Sequence, residues 1–248
     1  MKTEINNRTA LIIIPCYNEG ENICNLLQQI NAIKIEGVTI TALPINDCST
    51  DNTRDEIKKV SSEYLDLSVN LGIGGAVQCG YRYAKLYNFD MAIQLDGDGQ
   101  HPVDELHKLI EPLLKNECDV IIGSRFITKE GFQSSGLRRF GISYFKRLNQ
   151  LLLGVKITDS TSGYRAINAK GINLVCDYYP DEYPEPEALI LYKLNGLKIK
   201  EVPVVMKERQ SGSSSIHSYK SIYYMIKVTL GILFIYFRIK FYGKHSAV

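Results

Sequence analysis

The sequence has little net charge, no paired cysteines and no long apolar run, and each absence excludes a class of protein. Its 29 Lys and Arg residues against 27 Asp and Glu residues leave a net charge of +2, which gives no argument for a nucleic-acid partner. The six cysteines are scattered, with neither a Cys-x-x-Cys pair nor a histidine at ligand spacing. We therefore expect free thiols in a reducing compartment rather than a disulfide framework or a zinc site.

The first residues also lack an apolar stretch. Residues 1–6 read Met-Lys-Thr-Glu-Ile-Asn, which does not match a secretory signal peptide. We therefore expect the protein in the cytoplasm. With 248 residues, 45% of them hydrophobic and 23% charged, the chain has the composition of an ordinary globular protein. That length fits one large domain, or one domain with a small appendage.

Apolar runs and helical periodicity alternate through the first half of the chain. This pattern predicts an α/β fold, with a mostly parallel central sheet and helices on both of its faces. Strands are predicted at 10–14, 39–45, 68–69, 91–95 and 120–124, and helices at 22–33, 51–65, 72–87 and 103–114. In such sheets ligands bind at the carboxyl ends of the strands, where this chain places Asn18, Asp47, Asn70 and Asp96.

The second half is less regular. Residues 128–138 form a polar segment with Gly and Ser, which we interpret as a candidate lid. An acidic, proline-rich segment at 178–187 leads into a predicted helix at 188–194, and a further strand is predicted at 198–206.

The C-terminal segment 218–242 changes character, because it is rich in Tyr, Ile, Phe and Leu. Its charge-free part, Val228 to Phe237, has ten residues, whereas a membrane-spanning helix needs about 20. Basic residues recur along the segment and beyond it, at Lys220, Lys227, Arg238, Lys240 and Lys244. Aromatic and basic residues together favour a helix lying in a membrane interface. The alternatives are a packed core helix and a contact in a homo-oligomer, and we divide the chain into a domain at 1–215 and a tail at 216–248.

Two carboxylates, Asp96 and Asp98, stand one residue apart at the end of the predicted strand 91–95. Hard cations prefer oxygen ligands, and Mg²⁺ is usually shared between carboxylates and substrate phosphates. The pair therefore suggests a metal that holds a diphosphate. Asp-Gly repeats are also ordinary turn material, so the pair alone leaves both interpretations open. An EF-hand is excluded, because Lys108 occupies the twelfth position, where that loop requires Glu.

Seven motifs occur along the chain in the order found in one enzyme family. They are Ile12-Ile13-Ile14-Pro15-Cys16-Tyr17-Asn18-Glu19, Asn46-Asp47-Cys48-Ser49-Thr50-Asp51-Asn52-Thr53, Asn70-Leu71-Gly72-Ile73-Gly74-Gly75-Ala76, Asp96-Gly97-Asp98-Gly99-Gln100-His101-Pro102, Gly123-Ser124-Arg125-Phe126, Asp159-Ser160-Thr161-Ser162-Gly163-Tyr164-Arg165, and Val202-Pro203-Val204 through Arg209 and Gly212. Through them the chain resembles family-2 glycosyltransferases with the GT-A fold. Within that family it looks most like the dolichol-phosphate-mannose synthase type, the polyprenyl-phosphate glycosyltransferases, over residues 10 to about 216.

The resemblance implies roles for the matching positions. The nucleotide sugar would be bound by Pro15, Tyr17, Asn18, Glu19, Asp47, Gly74 and Asp96. The Mg²⁺ or Mn²⁺ ligands would be Asp96, Asp98 and Gln100. Arg125 and Arg209 would approach phosphates, which a guanidinium fork suits. His101 is a further ligand candidate, although we expect it to shape the turn, since Mg²⁺ prefers oxygen.

Three positions depart from the family pattern. Asn46 stands where the first of two aspartates is usual, and Ile73 stands where a lysine is common. Ser215 replaces the lysine of the synthases, which removes a positive charge that would bind phosphate.

The implied reaction is inverting transfer of a sugar from a UDP- or GDP-sugar to a polyprenyl phosphate. The catalytic candidates are Asp98, Asp159, Glu187, Arg125 and Arg209. A lipid phosphate needs no general base, whereas a hydroxyl of a lipid-linked glycan would need one, for which Asp159, Glu185 and Glu187 are candidates. Glu187 is preferred over Glu185, because it stands at the helix start where the resemblance implies a base in hydroxyl-transferring relatives. The third alternative, in a different class, is a nucleotidyltransferase or a non-catalytic module that binds the nucleotide sugar. A nucleotidyltransferase would carry a basic glycine-rich loop near its N-terminus, where this chain has Pro15-Cys16-Tyr17-Asn18-Glu19. We expect the protein to work in cell-wall or polysaccharide biosynthesis, held peripherally at the inner face of the cell membrane.

Overall fold

The computed structural model describes residues 7–131, 136–181, 183–207 and 218–243. Its seven-stranded sheet has the strand order β3-β2-β1-β4-β6-β5-β7. The strands are β1 (Arg8–Cys16), β2 (Val38–Asn46), β3 (Leu65–Asp66), β4 (Met91–Gln94), β5 (Val120–Ser124), β6 (Arg165–Asn168) and β7 (Ile199–Pro203). β6 runs antiparallel to both of its neighbours, and the other pairs of described strands are parallel. The predicted mostly parallel α/β sheet is therefore confirmed.

Helices cover both faces of the sheet, as the alternating pattern predicted. The helices are α1 (Ile23–Ala32), α2 (Thr53–Val60), α3 (Gly72–Leu86), α4 (Leu106–Leu114), α5 (Gly136–Leu153), α6 (Ala169–Asp177), α7 (Pro184–Leu194) and α8 (Ser218–Tyr242), with a 3-10 turn at Val103–Glu105. Side chains alternate across β1, because successive residues of a strand point to opposite faces. Ile12 and Ile14 join the core beneath α1 and α4, whereas Leu11 and Ile13 join the core beneath α3, α6 and α7.

Several predicted boundaries were wrong. The third strand lies at Leu65–Asp66 rather than at 68–69, and α2 ends at Val60 rather than at 65. Helices α5 and α6 and strand β6 were not predicted. β6 has four residues and begins with a buried arginine, so neither an apolar run nor an alternating pattern marks it.

Helix α8 forms a layer outside the sheet and its flanking helices. It packs against α5 and α7 through Val228, Ile232 and Ile235, which meet Phe145 and Ile190. Across the described residues, no helix combines the length and the apolar character that crossing a membrane requires.

Candidate active site

The loops that follow β1 and β2 are hydrogen-bonded to each other at the carboxyl edge of the sheet. The side-chain oxygen of Asn18 accepts the N–H of Thr50 at 2.9 Å, and Asn18 itself has a φ of 57°. A tight turn of that kind tolerates Asn better than most residues. The N–H of Glu19 donates to Thr53 Oγ1 at 2.8 Å. These bonds fix the backbone of the first motif, which contains the predicted donor-binding residues. Within that motif Pro15 is buried and Tyr17 is half exposed.

Asp47, the first residue after β2, is hydrogen-bonded to the loop that precedes α3. Its Oδ1 accepts the N–H of Leu71 at 2.7 Å, and its backbone oxygen accepts the side-chain amide of Asn70 at 3.0 Å. Burial raises the pKa of Asp47, and the N–H groups of Leu71 and Gly72 act in the opposite direction. The carboxylate therefore positions the turn before α3, and its predicted contact with the nucleoside stays a prediction.

Asp96 and Asp98 lie in the loop that follows β4. Asp98 is 4% exposed, and its Oδ1 accepts the N–H of Gln100 at 3.0 Å, which orients that carboxylate. The side chain of Asp96 is 33% exposed. A Cβ at Gly163 would lie 3.0 Å from Asp96 Oδ2, so the absence of a side chain there lets the neighbouring loop approach closely.

The buried side chain of His101 is bonded to the backbone of this loop. Its Nδ1 accepts the N–H of Asp96 at 2.9 Å, and its ring stacks on Tyr164 at 4.9 Å. Because Nδ1 is an acceptor, the neutral ring carries its proton on Nε2, which lies 3.7 Å from Asp96 Oδ2. This geometry agrees with the expected turn-shaping role.

The residues present fit a hard divalent cation that shares its coordination with phosphate. Asp96, Asp98 and the Gln100 amide offer oxygen donors beside one loop, and Mg²⁺ typically takes one or two carboxylates together with substrate phosphates. Among the described residues, no group of three or more His, Cys, Asp or Glu side chains would enclose a metal by itself. The donor set therefore suits Mg²⁺ or Mn²⁺ held jointly with a diphosphate.

Arg125 and Asp159 form a buried ion pair next to this loop. Arg125 Nε donates to Asp159 Oδ2 at 2.7 Å and Arg125 Nη2 to Oδ1 at 2.8 Å, with the two residues 7% and 0% exposed. Burial alone would lower the pKa of Arg125, but its bonds and attraction to Asp159 outweigh this and raise it. Both oxygens of Asp159 are therefore engaged, whereas Asp159 was predicted as a candidate base.

The motif that contains Asp159 ends in an arginine to which sequence reasoning assigned no role. Arg165 is fully buried and donates to three backbone oxygens: Ser162 at 2.6 Å, Glu185 at 2.7 Å and Ser160 at 2.9 Å. It thereby joins the 159–165 loop to the first turn of α7. Because no strand was predicted at 165–168, the sequence carried no signal that this arginine is buried and so requires several partners.

The first turn of α7 carries two glutamates that point in different directions. The pKa of Glu185 is raised by burial, with Arg165 acting against this and the charge of Asp96 adding to it, and Gln94 bonds its side chain. A Cβ at Gly231 would lie 2.4 Å from Glu187 Oε1, which places the Glu187 carboxylate against α8. Residues two apart on a helix differ by about 200° in direction. Glu185 therefore lies on the Asp96 side, although Glu187 was the preferred candidate.

Gly74 also has a different surrounding from the one expected. Its N–H donates to the backbone oxygen of Asp181 at 2.8 Å, and a Cβ there would lie 2.0 Å from that oxygen. The amide of Gly74 is therefore bonded within the protein, and the close backbone contact leaves no room for a side chain at this position. The predicted phosphate contact of Arg209, together with Gly212 and Ser215, lies outside the described residues.

The strand order and the carboxylate loop at the sheet edge define a GT-A fold. A crystal structure of glucosyl-3-phosphoglycerate synthase from Mycobacterium tuberculosis, solved with Mn²⁺, UDP and glucosyl-3-phosphoglycerate, matches with a TM-score of 0.68 and 17% identity. The match covers 94% of this chain and 82% of that one. At this identity the likeness concerns the fold.

The chain belongs to glycosyl transferase family 2, whose family model matches residues 11–173. A Methanococcus voltae protein, UDP-N-acetylglucosamine–dolichyl-phosphate N-acetylglucosaminyltransferase, is 28% identical over 221 residues, covering 80% of this chain and 85% of that protein. The undecaprenyl-phosphate mannosyltransferase of Micrococcus luteus is 29% identical over 218 residues, covering 84% of this chain and 87% of that protein. The resemblance predicted from the motifs is confirmed, and the chain is a glycosyltransferase.

Proposed function

We propose that this glycosyltransferase moves a sugar, with inversion, from a nucleotide diphosphate sugar to a polyprenyl phosphate at a membrane surface, using Mg²⁺ or Mn²⁺. The observation that carries the proposal is the loop of Asp96 and Asp98 at the carboxyl edge, with the buried Arg125 beside it. The relatives named above act, by their names, on dolichyl and undecaprenyl phosphates and carry different sugars. Those names support the acceptor class and leave the sugar open.

The donor would lie along the carboxyl edge, with its diphosphate at the Asp96–Asp98 loop. When bound, the divalent cation neutralises charge that develops on the leaving diphosphate. Asp98 is held for this by the Gln100 N–H at 3.0 Å, so its carboxylate is already oriented. Arg125 would meet the diphosphate from the same side, with its guanidinium held in position by two bonds to Asp159. Pre-oriented groups of this kind cost no reorganisation during the reaction.

The surroundings of two base candidates favour a phosphate acceptor. Asp159 gives both oxygens to Arg125, and the Glu187 carboxylate lies against Gly231 of α8. A hydroxyl acceptor would need a base to remove its proton, whereas a lipid phosphate is already anionic at neutral pH. Glu185 is the remaining candidate for a hydroxyl acceptor, because it lies on the Asp96 side.

The first experiment tests the metal-dependent donor site. We expect Asp98→Asn to lose at least about a hundredfold in transfer with Mg²⁺ or Mn²⁺, since electrostatic contacts of this type are worth that much in catalysis. Chelation of the metal should abolish transfer by the wild type, and added metal should restore it. The control is Asp104→Asn, which changes an exposed carboxylate in the 3-10 turn that follows the loop, and it should keep full activity. Full activity of Asp98→Asn would refute the assignment.

The second experiment distinguishes the acceptors. Wild type, Glu185→Gln and Glu187→Gln are assayed in detergent with two acceptors, polyprenyl phosphate and a lipid-linked glycan, each with a panel of nucleotide sugars. Transfer to the lipid phosphate by both variants supports a reaction without a base. If Glu185→Gln alone loses transfer and only a glycan hydroxyl is glycosylated, the hydroxyl alternative is correct. Donor binding without turnover on any acceptor would identify a binding module.

A further inference from the structure

Helix α8 is apolar on two opposite faces, and the described residues cover only one of them. Val228, Ile232 and Ile235 pack against α5 and α7. The other face carries six large apolar side chains that are between 49% and 74% exposed: Tyr223, Ile226, Leu230, Phe234, Phe237 and Phe241. We call these six residues the α8 stripe. At about 100° per residue they fall within an arc of about 80°, opposite the packed face, along about 27 Å of helix.

The charges of α8 all have the same sign, and two lysines border the stripe. The helix contains Lys220, Lys227, Arg238 and Lys240 and neither Asp nor Glu. On the helical wheel, Lys227 follows one border of the stripe and Lys240 follows the other, with the Lys240 ammonium donating to the Tyr236 hydroxyl at 3.1 Å. The Arg238 guanidinium lies 5.0 Å from the ring centre of Tyr178, so this charge lies against the protein and not beside the stripe. The Lys227 ammonium lies 5.6 Å from the Tyr223 ring centre, which keeps that positive charge beside the stripe.

We propose that the α8 stripe docks into the surface of a membrane that contains anionic lipids. An apolar strip with lysines on its borders suits a lipid interface, where the stems lie along apolar surface and the charges reach the headgroups. A second copy of α8 on the same face would bring basic borders together without any acidic partner on the helix. The charge pattern therefore favours lipid over self-association.

The position of α8 relates this surface to the candidate active site. α8 packs along α7, and the first turn of α7 carries Glu185 on the Asp96 side. Docking through the α8 stripe would therefore hold the sheet edge close to lipid headgroups. The inference deepens the proposed function and rests on it only for the lipid nature of the acceptor.

Vesicle flotation of the full chain tests the inference. Wild type should float with phosphatidylcholine vesicles that also contain phosphatidylglycerol, and much less with phosphatidylcholine alone. Phe234→Ser with Phe241→Ser should lower binding to the mixed vesicles by about tenfold or more, because exposed aromatic area is lost. The control is Leu86→Ser with Tyr87→Ser, at the last residue of α3 and the residue after it, where the side chains are 72% and 59% exposed. This control should bind as wild type does, and all variants should melt at the wild-type temperature.

The outcomes are separable. The inference is overturned if wild type does not float, if it floats equally with neutral vesicles, or if the stripe variant binds as well as the control. A stripe variant that turns a dimer into a monomer without changing flotation also overturns it, because the face is then a subunit contact. Flotation requires no sugar donor, so failed transfer with intact flotation would count against the proposed function alone.

Discussion

Replacing Asp159 by Asn should destabilise the protein strongly, because it leaves the buried Arg125 without its counter-charge. The guanidinium is 7% exposed and bonds both oxygens of Asp159, at 2.7 and 2.8 Å. Asn keeps the size of the side chain but presents an amide N–H₂ to one guanidinium nitrogen. The arginine cannot escape by losing its proton, since guanidinium groups stay protonated in proteins.

The magnitude follows from the burial of the pair. Removing one partner of a buried ion pair costs about 3–5 kcal/mol. We expect the lower end, about 3 kcal/mol, because the Asn oxygen still accepts one of the two bonds. For a chain of this size 1 kcal/mol shifts Tm by about 2–4 °C, so Tm should fall by about 6–12 °C.

The assay is urea unfolding and thermal melting of wild type, Asp159→Asn and a matched exposed variant. Glu111→Gln removes the acidic partner of Lys115, in a pair 3.7 Å apart whose side chains are 53% and 64% exposed. This control should change stability by no more than about 0.5 kcal/mol, because water screens such pairs. A loss below about 1 kcal/mol for Asp159→Asn would refute the reasoning, since the pair would then behave as an exposed one.

Two further predictions concern other packed contacts. Gly74→Ala should lower the free energy of unfolding in urea by about 1–3 kcal/mol, since its Cβ would meet the backbone oxygens of Asp181 at 2.0 Å and Pro180 at 2.2 Å. The control is Gly141→Ala, whose Cβ would meet nothing within 4 Å, and it should be neutral or stabilising. Burial acts to raise the pKa of Asp119, but bonds from the Lys198 N–H and Asn168 and the charge of Lys170 lower it overall. At pH values above the ordinary pKa of 3.8, a lowered pKa stabilises the folded state. This stabilisation is lost as the pH falls through the folded-state pKa. Asp119→Asn should therefore be less stable than wild type at neutral pH and approach it in acid, and a constant difference across pH would contradict this.

Much of the candidate site was predictable because parallel strands place their carboxyl ends together. The apolar runs that became β1, β2 and β4 were recognisable, and the residues after them met at one edge, as expected. Short elements were harder. β6 begins with Arg165, whose burial depends on carbonyl oxygens supplied by a loop and by α7, and such partners cannot be recognised from a local pattern.

The amino-acid sequence by itself determined the family, the mostly parallel character of the sheet and the place of Asp96 and Asp98 after a strand, because these depend on local motifs and on the alternation of strands and helices. Only the tertiary structure decided which glutamate of α7 lies on the Asp96 side. Glu185 and Glu187 are two residues apart and so point in nearly opposite directions on a helix. Which of them faces Asp96 and which faces α8 depends on how α7 docks against the 159–165 loop and against α8. The same holds for α8, whose two faces are both apolar and are distinguished only by the packing of one of them against α5 and α7.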